Sequence, residues 1–132
     1  MSGGISSRLS REPATASSPI PGADSAGLAR SIRHSPVDTL ALLPWAREEV
    51  FSFVLFYRQG LDQQAQRVVG EWTRELVEAT LKHEGRYYLP YQLHATKEQF
   101  ERAYPEVAQL RQLKSRVDPQ GRFSNSLWQK YL

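Results

Sequence analysis

The run from Glu49 to Arg58 constrains this chain most. Phe51, Phe53, Leu55 and Tyr57 alternate with Val50, Ser52, Val54 and Phe56. Both alternating sets are largely apolar, so the run reads as a strand central in a sheet and covered on both faces. Gly60 ends it, and Asp62 then offers a side chain able to cap a helix. Ala65, Val68, Val69, Trp72, Leu76, Val77 and Thr80 follow helical spacing over the next twenty or so residues. Lys82 and His83 suit the negative end of that helix, and Gly85 suits the left-handed position after it. A second strand over Arg86–Leu89 completes a β-α-β unit. The chain therefore reads as α+β, with a mainly antiparallel sheet and helices packed on one side.

Other local signals extend this outline. Ser31–His34 and Thr39–Leu43 read as short strands. Thr96 and Gln99 have capping-box spacing for a helix over Lys97–Ala103. Pro105 suits the first position of a further helix, with Leu110, Leu113 and Val117 on its buried side. Asp118-Pro-Gln-Gly121 is a turn. The tail carries Phe123, Leu127, Trp128 and Tyr131, too much apolar area to be left loose, so it is expected to dock. Residues 1–29 are rich in Ser, Ala, Gly and Pro and read as a disordered leader, which leaves 30–132 as the folded domain.

Composition narrows the function. At 132 residues the chain has room for one domain with a modest core. It has no cysteine, which excludes disulfides, thiolate metal sites and a cysteine-linked flavin. The net charge of +3 is spread along the chain, whereas nucleic-acid binding calls for clustered Lys and Arg, so no nucleic-acid partner is expected. The longest apolar run is far short of the roughly 20 residues of a membrane span. His34, His83 and His94 lie far apart without ligand spacing, so no metal site is expected. Glu48 and Glu49 are adjacent at a strand start and point to opposite faces, the wrong geometry for a shared acid/base site.

Two groups of residues could carry chemistry. His94 and Lys97 lie three apart at a strand-to-helix junction. They could share a pocket, the imidazole as base and the ammonium stabilising negative charge, or they could simply be surface residues. Arg33 in an apolar strand needs a partner, which could be a substrate oxygen, a flavin or a structural carboxylate. Tyr87, Tyr88 and Tyr91 near His94 suit either a ligand wall or an ordinary core edge.

Two segments bring in a family. One is Arg86-Tyr-Tyr-Leu-Pro-Tyr-Gln-Leu-His-Ala-Thr-Lys97, with Phe100 and Ala103-Tyr-Pro105 after it. The other is Leu113-Lys-Ser-Arg-Val-Asp-Pro-Gln-Gly-Arg-Phe-Ser-Asn125-Ser-Leu-Trp128. Together they resemble the end of FAD-linked oxidases of the vanillyl-alcohol oxidase superfamily, nearest the D-arabinono-1,4-lactone, gulonolactone and alditol oxidase group. The resemblance runs from about residue 30 to 132. It implies the C-terminal, substrate-side segment of a two-domain flavoenzyme that oxidises a CH–OH donor, a sugar lactone or polyol, with FAD as cofactor. It assigns Arg33 to a substrate oxygen, His94 to removal of the hydroxyl proton, Lys97 to the flavin side and Asn125 to the flavin edge. An acidic residue expected two before Arg33 is Ser31 here, and a threonine expected on the central strand falls at about Leu55. Both departures weigh against an alditol substrate. The flavin-binding domain of the family has no counterpart in this sequence. The expected partner is therefore a separate flavin-binding domain, the alternative being a non-catalytic remnant. A cytoplasmic location is expected, with peripheral membrane association known among relatives of this kind.

Overall fold

A computed structural model describes residues 2–8 and 29–132. The elements in chain order are β1 (Ser2–Arg8), β2 (Ala29–Ser35), β3 (Val50–Phe56), α1 (Gln63–Lys82), β4 (Arg86–Tyr87), α2 (Lys97–Ala103), α3 (Val107–Val117) and α4 (Ser126–Tyr131). The strands form one sheet in the order β2-β3-β1-β4, and every pairing is antiparallel. Because β1 runs opposite to both of its neighbours, β3 and β4 run parallel with β1 between them. The β-α-β unit expected from sequence is thus a split one.

The expectation of a disordered leader does not hold for Ser2–Arg8. These residues pair with β3 from Ser2↔Phe56 to Arg8↔Val50, and with β4 at Ile5↔Tyr87 and Ser6↔Arg86. The physical reason is the gap itself. Two parallel strands one strand-width apart present unpaired N–H and C=O groups on both sides, and even a Gly/Ser-rich segment can satisfy them. Ala29, the last residue of that expected leader, opens β2, and Met1 and residues 9–28 lie outside the described residues.

Strand β3 is central, as its sequence suggests, but its cover is incomplete. Val50 and Ser52 are buried while Phe51 and Phe56 are exposed. Helix α1 lies over β1 and β4 rather than over the β2 side of the sheet, so the outer part of β3 keeps open faces. Thr39–Leu43 is not a strand; it belongs to an irregular crossing between β2 and β3. Asp38 organises that crossing by accepting the backbone N–H groups of Leu40 and Ala41.

Helix α1 starts and stops by local chemistry. The Asp62 carboxylate accepts the Ala65 N–H at 2.9 Å. At the far end the Glu84 N–H bonds to Leu81 O and the Gly85 N–H to Thr80 O, the two bonds of a Schellman ending. The left-handed residue is Glu84 (φ 59°), not the glycine one place later. The stripe of α1 buries Val69, Val77 and Thr80, with Trp72 edge-on to Tyr57 at 4.9 Å.

The core lies between α1, β4, α2 and α4. Val77, Tyr87, Phe100, Ala103, Tyr104, Val107 and Tyr131 fill it. The tail docks as expected. Tyr131 is fully buried, stacks on Phe100 at 4.5 Å and donates its hydroxyl to Ala95 O at 3.0 Å. Phe123 stays outside, at 78% exposure. Helix α3 buries only Val107. Leu113 and Val117, expected on its inner side, are exposed, because α3 touches the core at its first turn and then projects from it. It begins at Val107, two residues after Pro105, with Glu106 at the N-cap position and its carboxylate paired with Arg86.

Candidate functional site

Register places Arg33 opposite Ser52, on the sheet face that α1 does not cover. The backbone carbonyl of Arg33 accepts the Ser52 hydroxyl at 3.2 Å. Trp45, from the β2–β3 crossing, stands edge-on to Tyr88 at 5.8 Å, and Tyr88 is edge-on to Tyr91 at 5.2 Å. These residues enclose an open groove of about 280 Å³, lined by Arg33, Ser52, Val54, Trp45, Tyr88 and Tyr91. Arg33 is exposed, so burial does not force a structural partner on it, and no carboxylate pairs with it among the described residues. A guanidinium fork among three aromatic edges suits a ring that is apolar on its faces and carries oxygens on its rim.

His94 sits elsewhere, half-buried against α1. Its Nε2 is 2.5 Å from Gln92 Oε1. Gly70 makes room for it: a Cβ there would lie 3.5 Å from His94 Nδ1 and 3.2 Å from Arg74 Nη1. Burial, with the Lys130 and Arg74 cations nearby, holds the imidazole below its ordinary value. Both effects favour the neutral imidazole. Lys130 is tethered to the Leu93 carbonyl. Lys97 is exposed at the first position of α2, where the Thr96–Gln99 capping box holds the helix start at 3.1 Å in both directions. Neither His94 nor Lys97 lines the Arg33 groove. Asn125 caps α4, its side-chain oxygen accepting the Trp128 N–H at 2.8 Å.

Sequence reasoning overlooked Ser52, Trp45 and Gln92. Ser52 carried a readable signal, being the one polar residue within the otherwise apolar run Val50–Phe56. Trp45 and Gln92 lie in irregular segments whose position only the folded chain defines.

A larger cleft of about 410 Å³ lies beside Arg47, Arg86 and Arg102. Each of its cations already has an acidic partner, Arg86 and Arg47 sharing the Glu106 carboxylate and Arg102 pairing with Glu78, and Glu48 and Glu84 also line it. It is a charged seam rather than an anion site. No group of His, Asp and Glu able to hold a metal occurs among the described residues. No helix among them is long and apolar enough to cross a membrane.

The model of the D-arabinono-1,4-lactone oxidase family matches residues 31–131. The chain belongs to this family. No curated protein and no solved structure matches it. The match begins two residues into β2 and ends at Tyr131, the residue that closes the core, so the family segment and the packed unit nearly coincide apart from β1.

The D-arabinono-1,4-lactone oxidase family implies FAD, and the described residues can be tested against it. The groove accepts a ring of sugar size. A dinucleotide also needs a cradle for its diphosphate, typically a helix N-terminus with free N–H groups. Here Asp62, Thr96 and Asn125 already occupy three of those termini as caps, and Glu106 stands at the fourth. Acidic residues and filled caps repel or exclude a phosphate, so the described residues do not fit the FAD tail.

Proposed function

We propose that this chain is the substrate-side part of an FAD-dependent oxidoreductase acting on CH–OH donors of the sugar-lactone or polyol type. The observation that carries the reading is the family match over residues 31–131 together with the aromatic, Arg33-bearing groove inside it. In this reading the Arg33 guanidinium holds a ring or carbonyl oxygen, and Trp45, Tyr88 and Tyr91 pack against the ring. His94 is the neutral base and Lys97 the flavin-side cation. Both roles are drawn from the family motif, and both need the segment from Gln92 to Lys97 to meet the substrate from outside the groove. The absence of a diphosphate cradle among the described residues supports FAD being held by a separate flavin-binding domain, with which this chain forms the active unit. A cytoplasmic setting accords with the reading.

Trp45 supplies the test. Titration with a γ- or δ-sugar lactone and with a polyol should change tryptophan fluorescence saturably. The change should vanish in Trp45→Phe, and binding should weaken at least tenfold in Arg33→Ala. Unchanged fluorescence with both ligand classes would remove the groove as the substrate site. Gel filtration with FAD should leave the flavin unbound until a flavin-binding domain is added. Co-elution of FAD with this chain alone would refute the separate-domain part of the reading.

A further inference from the structure

The slot between β3 and β4 is framed by residues inside the family match, whereas the strand that fills it, Ser2–Arg8, lies outside that match. The segment joining β3 to β4 is spent on α1, so the slot has to be filled by a strand from elsewhere. Its present occupant is poor. Five of its seven residues are Ser or Gly, with Gly3 and Gly4 adjacent. Glycine weakens strands by its entropy and its missing side chain, and central strands are ordinarily rich in Val and Ile. A sheet interior closed by its weakest strand is a sheet poised to exchange it.

We propose that the β3–β4 slot is a strand-acceptor site, held by β1 as an exchangeable plug, and that its ligand is an extended segment of a separate polypeptide rich in β-branched residues. Such a segment binds by strand addition, its backbone antiparallel to both β3 and β4, the sense β1 now has. A second copy of this chain is the less favoured donor. It would bring the same weak strand, and twenty residues of chain, 9 to 28, separate β1 from β2, enough contour length for β1 to reach its own slot. A tether of that length gives β1 an effective concentration on the order of millimolar. A free strand at about 10 µM must therefore outbind β1 by about a hundredfold. Each Gly replaced by a β-branched residue contributes up to about fivefold, and the three serines add to this, so the requirement is within reach.

The probe is a fluorescein-labelled heptapeptide of alternating Val and Thr, added to the full chain and followed by anisotropy. Saturable one-to-one binding is expected. It should weaken at least tenfold in the Gly3→Val/Gly4→Val variant, which strengthens the plug, and tighten in Gly4→Pro, which disrupts it. Failure to bind, or binding that the Gly3→Val/Gly4→Val variant leaves unchanged, overturns the proposal, the latter by placing the peptide on another edge. A dimer in which β1 cross-links to β3 of a neighbour also overturns it, by assigning the slot to a second copy. The peptide needs neither flavin nor lactone, so either result leaves the oxidase reading to its own test.

Discussion

Replacing Glu106 by Gln should cost this fold about 2–3 kcal/mol. The Arg86 side chain is only 4% exposed, and its Nη2 meets both carboxylate oxygens of Glu106 at 2.8 Å. Its other terminal nitrogen donates to the Pro44 carbonyl, and the guanidinium lies 4.6 Å from the centre of the Tyr104 ring. Breaking a buried pair from one side typically costs about 3–5 kcal/mol, because the remaining charge stays buried and uncompensated. Two features reduce that here. Glu106 is 25% exposed, so water screens part of the pair, and Pro44 and Tyr104 still hold Arg86 in the variant. For a chain of this size about 1 kcal/mol moves the midpoint by roughly 3–6 °C, so the thermal unfolding midpoint followed by circular dichroism should fall by about 6–18 °C. Arg86→Met should cost less, since it removes the buried charge and keeps the volume. The double variant should lie well above the sum of the two singles in stability. Burial opposes ionisation of Glu106, but hydrogen bonding to Arg86 and the charges of Arg86 and Arg47 outweigh it and hold the carboxyl below its ordinary range. The pair's stabilisation is therefore present above the ordinary glutamate value and is lost as pH falls through the lowered one, and Glu106→Gln should flatten that acid limb. A Glu106→Gln midpoint within about 1 °C of the parent, or additive single variants, would refute the claim that this buried pair stabilises the fold.

Other outcomes follow from single positions. Gly121 has φ 64°, and a methyl group placed on its Cα would meet nothing within 4 Å, so Gly121→Ala should destabilise by about 1 kcal/mol through backbone strain alone. Glu84→Gly should act oppositely, raising the unfolding midpoint by relieving the left-handed residue of the Schellman ending, with a gain of about 0.5–1 kcal/mol. The His94 imidazole should titrate below its ordinary value by NMR, and Lys130→Gln should move it upward by removing a nearby cation. Because the folded value is depressed, protonation favours the unfolded chain, and this contribution to stability should decline as pH falls from about 6.5 toward the folded value. The Asp118 carboxylate accepts the Lys114 ammonium and the N–H groups of Arg122 and Phe123, which brings it down to about 2. Its stabilisation should persist to about pH 4 and fade toward about pH 2, and Asp118→Asn should abolish that acid dependence.

Chain-local signals were the readable ones. The caps at Asp62 and Thr96, the Gln99 reciprocal bond and the Asp118–Gly121 turn all join groups three to five residues apart, so their partners stand close by in the sequence itself. Asn125 obeys the same rule in the structure, accepting the Trp128 N–H three residues on, but sequence reasoning assigned it to the flavin edge and not to a helix cap. The helical stripe of α1 and the docking tail were readable from apolar spacing, and the family motif from two linear segments. What depends on distant partners was not. The Arg86–Glu106 pair spans twenty residues, Tyr131 reaches back to Ala95, and His94 is shifted by burial and by Arg74 and Lys130 on α1 and α4. The same holds for the groove, which joins β2, β3, the β2–β3 crossing and the segment after β4. Strand β1 is the sharpest instance. Its own residues favour disorder, and it is ordered because the gap between β3 and β4 leaves backbone groups that must be paired. Sequence by itself determined where α1 and α2 begin and which family the chain resembles, because those rest on contacts within a few residues. Only the tertiary structure decided which polar groups share a pocket and which strand completes the sheet, because those rest on closing loops between residues far apart in the chain.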